Sequence, residues 1–182
     1  LVEGAAKGEG LGNRFLAGIR EVDAIVFVLR AFSDDDVPGP TDPVEHLRIV
    51  EVELALADLE TTQKQLSKIE KVAKSDKSIG LTLDSLKHAS EQLDQGIPIY
   101  KSDLISSERE MMSDFFLLTD KPVLAVVNMG EDQVEQTNQI LEPVIAELPD
   151  QEVIGMCVQL ESEAALLTPE EQSEMLEELG LG

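Results

Sequence analysis

The stretch Pro122-Val123-Leu124-Ala125-Val126-Val127-Asn128-Met129-Gly130-Glu131 decides how the rest of the chain is read. Its apolar run stops at an Asn, and an acid follows three positions later. An unbroken apolar run of this length, rich in β-branched residues, predicts a strand covered on both faces. Val22 to Leu29 is a second such run, broken only at Asp23, and Val153 to Val158 is a third. Segments of helical spacing lie between and beside them. The pattern is α/β with a parallel sheet.

An apolar strand that ends in Asn-x-x-acid is how many nucleotide-binding G domains present their base-reading loop. The usual last residue is Asp, whose short carboxylate accepts from two nitrogens of guanine. Here Gly130 precedes a longer Glu131. As a base-reading loop this is a variant, and guanine specificity does not follow from it.

Composition bounds the possibilities. The 182 residues fit one domain, or one domain with an insertion. Aromatic residues make up 3% and Trp is absent, so stacking on nucleic-acid bases has few candidates. The single Cys157 excludes an intramolecular disulfide framework and suits a reducing compartment. No apolar run is long enough to span a bilayer, and no charged-then-apolar leader opens the chain, so a cytoplasmic protein is expected. The net charge is −23, and no Lys or Arg follows Lys121. Such a field repels DNA and nucleic acid in general. It is read either as adaptation to a salt-rich cytoplasm or as a plain solvated surface. The chain starts at Leu1, without a Met, and ends on Leu179-Gly180-Leu181-Gly182 just past a helix. It is read as an internal segment of something longer.

Three parts are expected along the chain: residues 1–42, 43–97 and 98–182. The first opens with Gly4, Gly8, Gly10 and Gly12, followed by a short helix from Asn13 to Arg20. The glycines lack G-x-G-x-x-G spacing, and G-x-x-x-x-G-K-[ST] occurs nowhere. After the first strand comes a loop, Phe32 to Pro43, with Asp34-Asp35-Asp36. Adjacent acids on a loop seldom converge on one ion, so a solvated turn is expected there. From Pro43 to about Lys74 the spacing predicts one long helix, roughly 45–50 Å at about 1.5 Å per residue. Its expected seam is Ile49, Val52, Leu56, Leu59, Gln63, Leu66, Glu70 and Ala73. A second seam follows at Ile79, Leu83, Leu86, Ser90, Leu93 and Ile97. Steps of three and four on both sides of a break predict an inserted antiparallel helical hairpin of coiled-coil type. Lys64, Lys68, Lys71, Lys74 and Lys77 make its tip locally positive. They are read either as a solvated helix face or as a contact for an anionic partner such as RNA. Later helices are expected at Ser106–Leu117, Gln133–Leu148 and Thr168–Leu179. The last of these opens on Thr168, Pro169 and Glu171, a capping box.

Other chemistry finds little support. His46 and His88 are lone residues without metal-ligand spacing. Cys157 has no basic neighbour in sequence. No catalytic and no metal-ligating residue is assigned.

Three stretches together resemble the YchF-type subfamily of Obg-like P-loop NTPases. They are Gly4 to Leu16 running on to Ile25, Asp42-Pro43 with Glu53-Leu54-Ala55-Leu56-Ala57-Asp58-Leu59-Glu60, and Leu118 to Val123 running into Asn128-Met129-Gly130-Glu131. The resemblance implies a partial G domain carrying the helical insertion. A P-loop, a first switch and an Asp-x-Ala-Gly motif would precede Leu1, and a small β-rich domain of the TGS type would follow Gly182. Leu1 would hold the hydrophobic residue that this subfamily has in place of a water-orienting Gln. Asn128 and Glu131 match the family's Asn-x-x-Glu base-reading loop, with Met129 contacting or flanking the base edge. Cys157 and Val158, followed by Gln159, occupy the place of the last nucleotide loop. The phosphate-binding Lys and the Mg²⁺ ligands would lie outside this segment. The resemblance further implies ATP binding at least as good as GTP binding, hydrolysis by the longer protein, and association with ribosomes or ribosomal RNA. The competing expectation is a non-enzymatic helical adapter that carries an α/β body.

Overall fold

The computed structural model, which describes residues 11–34, 36, 37, 39–73 and 77–178, combines α-helices with a small parallel sheet. Helix α1 (Leu11–Arg20) leads to strand β1 (Ile25–Arg30), and the long helix α2 (Pro43–Ala73) pairs with α3 (Gly80–Asp94). A short α4 (Ser106–Met111) precedes β2 (Val123–Asn128). Then come α5 (Thr137–Glu147), β3 (Glu152–Met156), α6 (Val158–Ala164) and α7 (Pro169–Glu178). Gly4, Gly8, Gly10, Asp35, Lys74 and Gly180 lie outside the described residues, as do Leu1 and the side chain of Lys77.

The sheet order is β1-β2-β3. Strands β2 and β3 run parallel, with Leu124 opposite Glu152 and Asn128 opposite Met156. The apolar runs become strands as expected, but β1 is not covered on both faces. Ile25, Phe27 and Leu29 are buried, whereas Val26 and Val28 are 56% and 59% exposed. Alternate side chains point to opposite faces of a strand, and among the described residues only one face of β1 is packed.

Among the described residues, 11–25 and 47–123 form one compact unit, and 26–46 and 124–178 form another. The first unit holds the paired helices. Ala55 on α2 packs with Leu86, Ala89 and Leu93 on α3, and with Ile99, Leu104, Met112 and Leu117. Leu59, Leu66 and Ile69 continue the contact along α2. Leu83, near the start of α3, shares a cleft with Ser67, Glu70 and Ala73 at the end of α2. The two helices therefore run in opposite directions.

The seam differs in detail from the expected one. Val52 is 47% exposed and Leu56 is 37% exposed. Gln63 and Glu70 face solvent, while Thr62 is fully buried and Ile69 packs on the core. The steps of three and four are Ala55, Leu59, Thr62, Leu66, Ile69 and Ala73. Leu54-Ala55-Leu56-Ala57 offers apolar groups on every side, so periodicity alone admits neighbouring registers.

One carboxylate ties this unit together. Asp58 on α2 is fully buried and accepts from the N–H of Leu118 at 2.8 Å and of Thr119 at 2.7 Å. The Thr119 hydroxyl donates to it at 2.8 Å. Arg20, at the end of α1, approaches the other oxygen at 3.4 Å and donates to the carbonyls of Ala57 and Phe116 and to the Thr61 hydroxyl. Burial pushes the Asp58 carboxyl above the usual carboxylate range, and the Thr119 and Leu118 bonds pull it back. The α-helix expected to reach Leu117 stops at Met111; a 3₁₀ turn, Ser113–Phe115, follows and ends at Phe116, which sits in the left-handed region at φ 50°.

The histidines are not lone. His46 Nδ1 accepts from the Arg30 N–H at 3.2 Å, and burial lowers its pKa. His88 bridges Asp103 at 2.9 Å and Glu108 at 3.0 Å, and the Glu108 bond raises its pKa.

Replacing Asp58 with Ala leaves two amide donors, one hydroxyl and the Arg20 charge without their shared partner. Urea denaturation of the variant is expected to show a loss of about 3 kcal/mol or more. A loss under about 1 kcal/mol would mean that the carboxylate is not the tie described.

Candidate functional site

The second unit brings the end of β2 and the end of β3 side by side. Asn128 is the last residue of β2, and its register partner is Met156. The Asn128 Oδ1 accepts from the Val158 N–H at 3.1 Å. The loop after β2 is thereby bonded to the first turn of α6, directly after Cys157. Parallel sheets present such loops at the carboxyl ends of their strands, where ligands bind in open α/β folds.

Met129 turns inward. It is 4% exposed, and its N–H donates to the Met156 carbonyl at 2.8 Å. Its Cε lies over Gly155, where a Cβ would stand 2.8 Å away. The side chain anchors the loop, and its amide is committed to β3. Cys157 is buried and free, and it lines an apolar cavity with Met129, Gly155 and Met175. Val158 is half-exposed at the start of α6.

Glu131 lies elsewhere. It begins the 3₁₀ turn Glu131–Gln136 and is exposed. With Gly130, Gln133 and Gln159 it lines an open groove of about 1090 Å³ whose opposite wall is Phe32, Asp34 and Thr41. The expected residues therefore divide: Asn128 and Val158 bond to each other, Met129 and Cys157 share an apolar cavity, and Glu131 faces the groove. Gln159 also faces the groove, with its amide donating to Glu163 at 3.1 Å.

The groove is rich in acceptors. Asp34, Glu131, Asp132 and Glu135 line it, and among the described residues no Lys or Arg does. Nearby Arg30 is buried and spends its guanidinium on the carbonyls of Val37, Gly39 and Pro40. That cage holds the loop after β1 in place. Asp34 closes its own turn by accepting from the Asp36 N–H at 2.9 Å. Carboxylates and amides in such a groove match the N–H groups of a base edge and repel phosphate. Among the described residues, no group of His, Cys, Asp and Glu could hold a metal ion. No helix among them is long and apolar enough to cross a membrane.

Sequence reasoning missed Arg30 and Gln133. Arg30 gave no signal, because its partners are loop carbonyls. Gln133 stands three residues after Gly130, the spacing of a capping box, and that pattern could have flagged it.

A parallel sheet flanked by helices, with an Asn-x-x-acid loop bonded to the next strand's loop, is the arrangement of a G-domain-type fold. No protein-family profile matches the chain. It is 40% identical over 191 residues to the ribosome-binding ATPase YchF of Bacillus subtilis, with all of this chain and 52% of the relative covered. It is 36% identical over 193 residues to Obg-like ATPase 1 of Saccharomyces cerevisiae, covering 98% of this chain and 49% of the relative. The solved structure of the Schizosaccharomyces pombe YchF GTPase superposes with a TM-score of 0.81 at 31% identity, covering 98% of this chain and 51% of that one. The chain spans about half the length of the curated relatives it matches. Over its whole length it is homologous to the YchF-type, Obg-like ATPases.

Gly155 has no room for a side chain, since a Cβ would also stand 2.9 Å from Thr137 Cγ2 and 3.4 Å from Leu141 Cδ1. Gly155→Ala is expected to displace Met129 and to cost about 1–3 kcal/mol of stability in a denaturant titration. A neutral Gly155→Ala, with the Met129 methyl resonance unmoved, would show the contact to be slack.

Proposed function

We propose that this chain is the base-reading and helical-arm segment of a ribosome-associated, cytoplasmic P-loop NTPase. The longer protein binds and hydrolyses ATP, and GTP is also admissible. The observation that carries this reading is the Asn128–Val158 bond, which joins two nucleotide loops beside an acceptor-rich groove. Asn128, Glu131, Val158 and the backbone around Cys157 would face the base. Met129 would act by holding the loop from behind. Glu131 follows a glycine and is one methylene longer than the usual Asp, so it need not meet both guanine nitrogens. Adenine, with one exocyclic amine, then becomes acceptable.

Among the described residues, no cluster of side chains could hold Mg²⁺, and none of the groove-lining residues is a cation that would meet phosphate. The sequence contains no G-x-x-x-x-G-K-[ST], and the groove is acidic. By the resemblance, the residues that hold them lie outside this segment, so no hydrolysis is expected from the segment alone. Titration of the full-length protein is expected to give ATP binding at least as tight as GTP binding. Glu131→Asp should move the ratio toward GTP by about fivefold, the scale of one hydrogen bond. A strong GTP preference in the unmodified protein would defeat this account of the loop.

The helical arm would meet the ribosome through its lysines. Lys64, Lys68 and Lys71 fall on one stripe of α2, all exposed, with Lys64 paired to Glu60 at 2.5 Å. An exposed pair of this kind contributes little to stability, so the stripe is available to an anionic partner. Changing Lys64, Lys68, Lys71 and Lys74 to Glu in the full-length protein should weaken co-sedimentation with ribosomes and flatten its salt dependence, with nucleotide affinity unchanged. Co-sedimentation that survives at low and moderate salt would reduce the stripe to a solvated helix face.

A further inference from the structure

The side-chain amide of Gln133 works at both ends. Its Oε1 accepts from the Gly130 N–H at 2.8 Å, and its Nε2 donates to the Ala31 carbonyl at 3.0 Å. Ala31 directly follows β1, and its own N–H donates to the Asn128 carbonyl at 2.8 Å. Both backbone groups of Ala31 are therefore taken up by the loop after β2. Where the β1–β2 ladder ends, the Gln133 amide supplies one more rung. A fourth bond, from the Gln133 N–H to the Gly130 carbonyl at 3.0 Å, closes the turn.

We infer that Gln133 is a positioning residue that sets the reach of Glu131 into the groove, and with it the choice of base, by locking Gly130 to the end of β1. This rests on the base-reading role proposed above. Gly130 is where the loop would otherwise swing, because glycine has the widest backbone freedom. Upstream of it, Asn128 and Met129 are held by β1 and β3. Downstream, Glu131 is exposed. Among the described residues, the Gln133 bonds are the hydrogen bonds seen to direct the chain as it leaves Gly130. A capping box would use Oε1 alone. The Nε2 bond to a residue 102 positions away is outside that motif and ties the loop to a separate strand.

The two roles separate by substitution in the full-length protein. Gln133→Glu keeps the acceptor for Gly130 and removes the donor to Ala31, whereas Gln133→Met removes both at similar length. Affinities would be measured for ATP, GTP and inorganic tripolyphosphate, which has no base. Both variants are expected to bind ATP about five- to tenfold more weakly, the scale of a lost hydrogen bond, and to change the ATP-to-GTP ratio. Tripolyphosphate affinity should stay level, and hydrogen exchange at the Gly130 amide should quicken in Gln133→Met. A Gln133→Glu protein that behaves as the parent would reduce the residue to a cap. An equal loss for all three ligands would mean general loosening, and unchanged exchange at Gly130 would deny the lock; either overturns the inference. If the unmodified protein binds tripolyphosphate but discriminates no base, the base-reading role itself fails and takes this inference with it. Normal base selection that both variants retain defeats the inference alone.

Discussion

Asp58 is the fixed point of the helical unit. A buried carboxylate is costly to desolvate and persists only when its oxygens are well satisfied. Here Leu118, Thr119 and Arg20 meet it from two separate segments. Thr119 passes the constraint on, because its hydroxyl also accepts from the Ile99 N–H at 3.1 Å. One side chain on α2 thus fixes the turn that precedes Pro122, the segment after α3 and the end of α1. Lys121 adds to the same corner by donating to the carbonyls of Arg20 and Val22.

What the sequence made legible follows from what period and local chemistry can encode. Strands β2 and β3, the long helix α2 and the capped start of α7 were all readable from short-range pattern. The bond pair between Thr168 and Glu171, at 2.9 Å from amide to carboxylate, is the capping box the residues spelled out. The register of the α2 seam was not readable, because apolar residues crowd all sides of Leu54 to Ala57. Nor was the open face of β1, since an apolar run carries no information about what covers it. At the site, Asn128 and Glu131 were visible as a motif. Their separation, with Asn128 bonded to Val158 and Glu131 turned to the groove, was not, because it depends on where Met129 turns. Arg30, Asp58 and Gln133 act through bonds to distant backbone groups, which leave no periodic trace.

The groove and the charge of the chain fit together. The chain carries a net charge of −23, and among the described residues its open groove is lined with Asp and Glu, which repel phosphate. Acceptors there favour groups that donate, such as exocyclic amines. The exposed lysines described on α2 lie in the other compact unit. The acidic groove and the basic stripe therefore belong to different units.

The contact between Met129 and Gly155 has an evolutionary corollary. The second position of the tetrad and the fourth residue of β3 occupy one shared volume. A lineage cannot enlarge either one without shrinking the other or moving α5 through Thr137 and Leu141. The two sites are bound to drift as a pair, so a bulky tetrad residue should travel with glycine on the neighbouring strand. Where the tetrad carries a smaller side chain, only one of the two closest contacts is relieved, and alanine becomes tolerable on the strand once the Thr137 position also gives way.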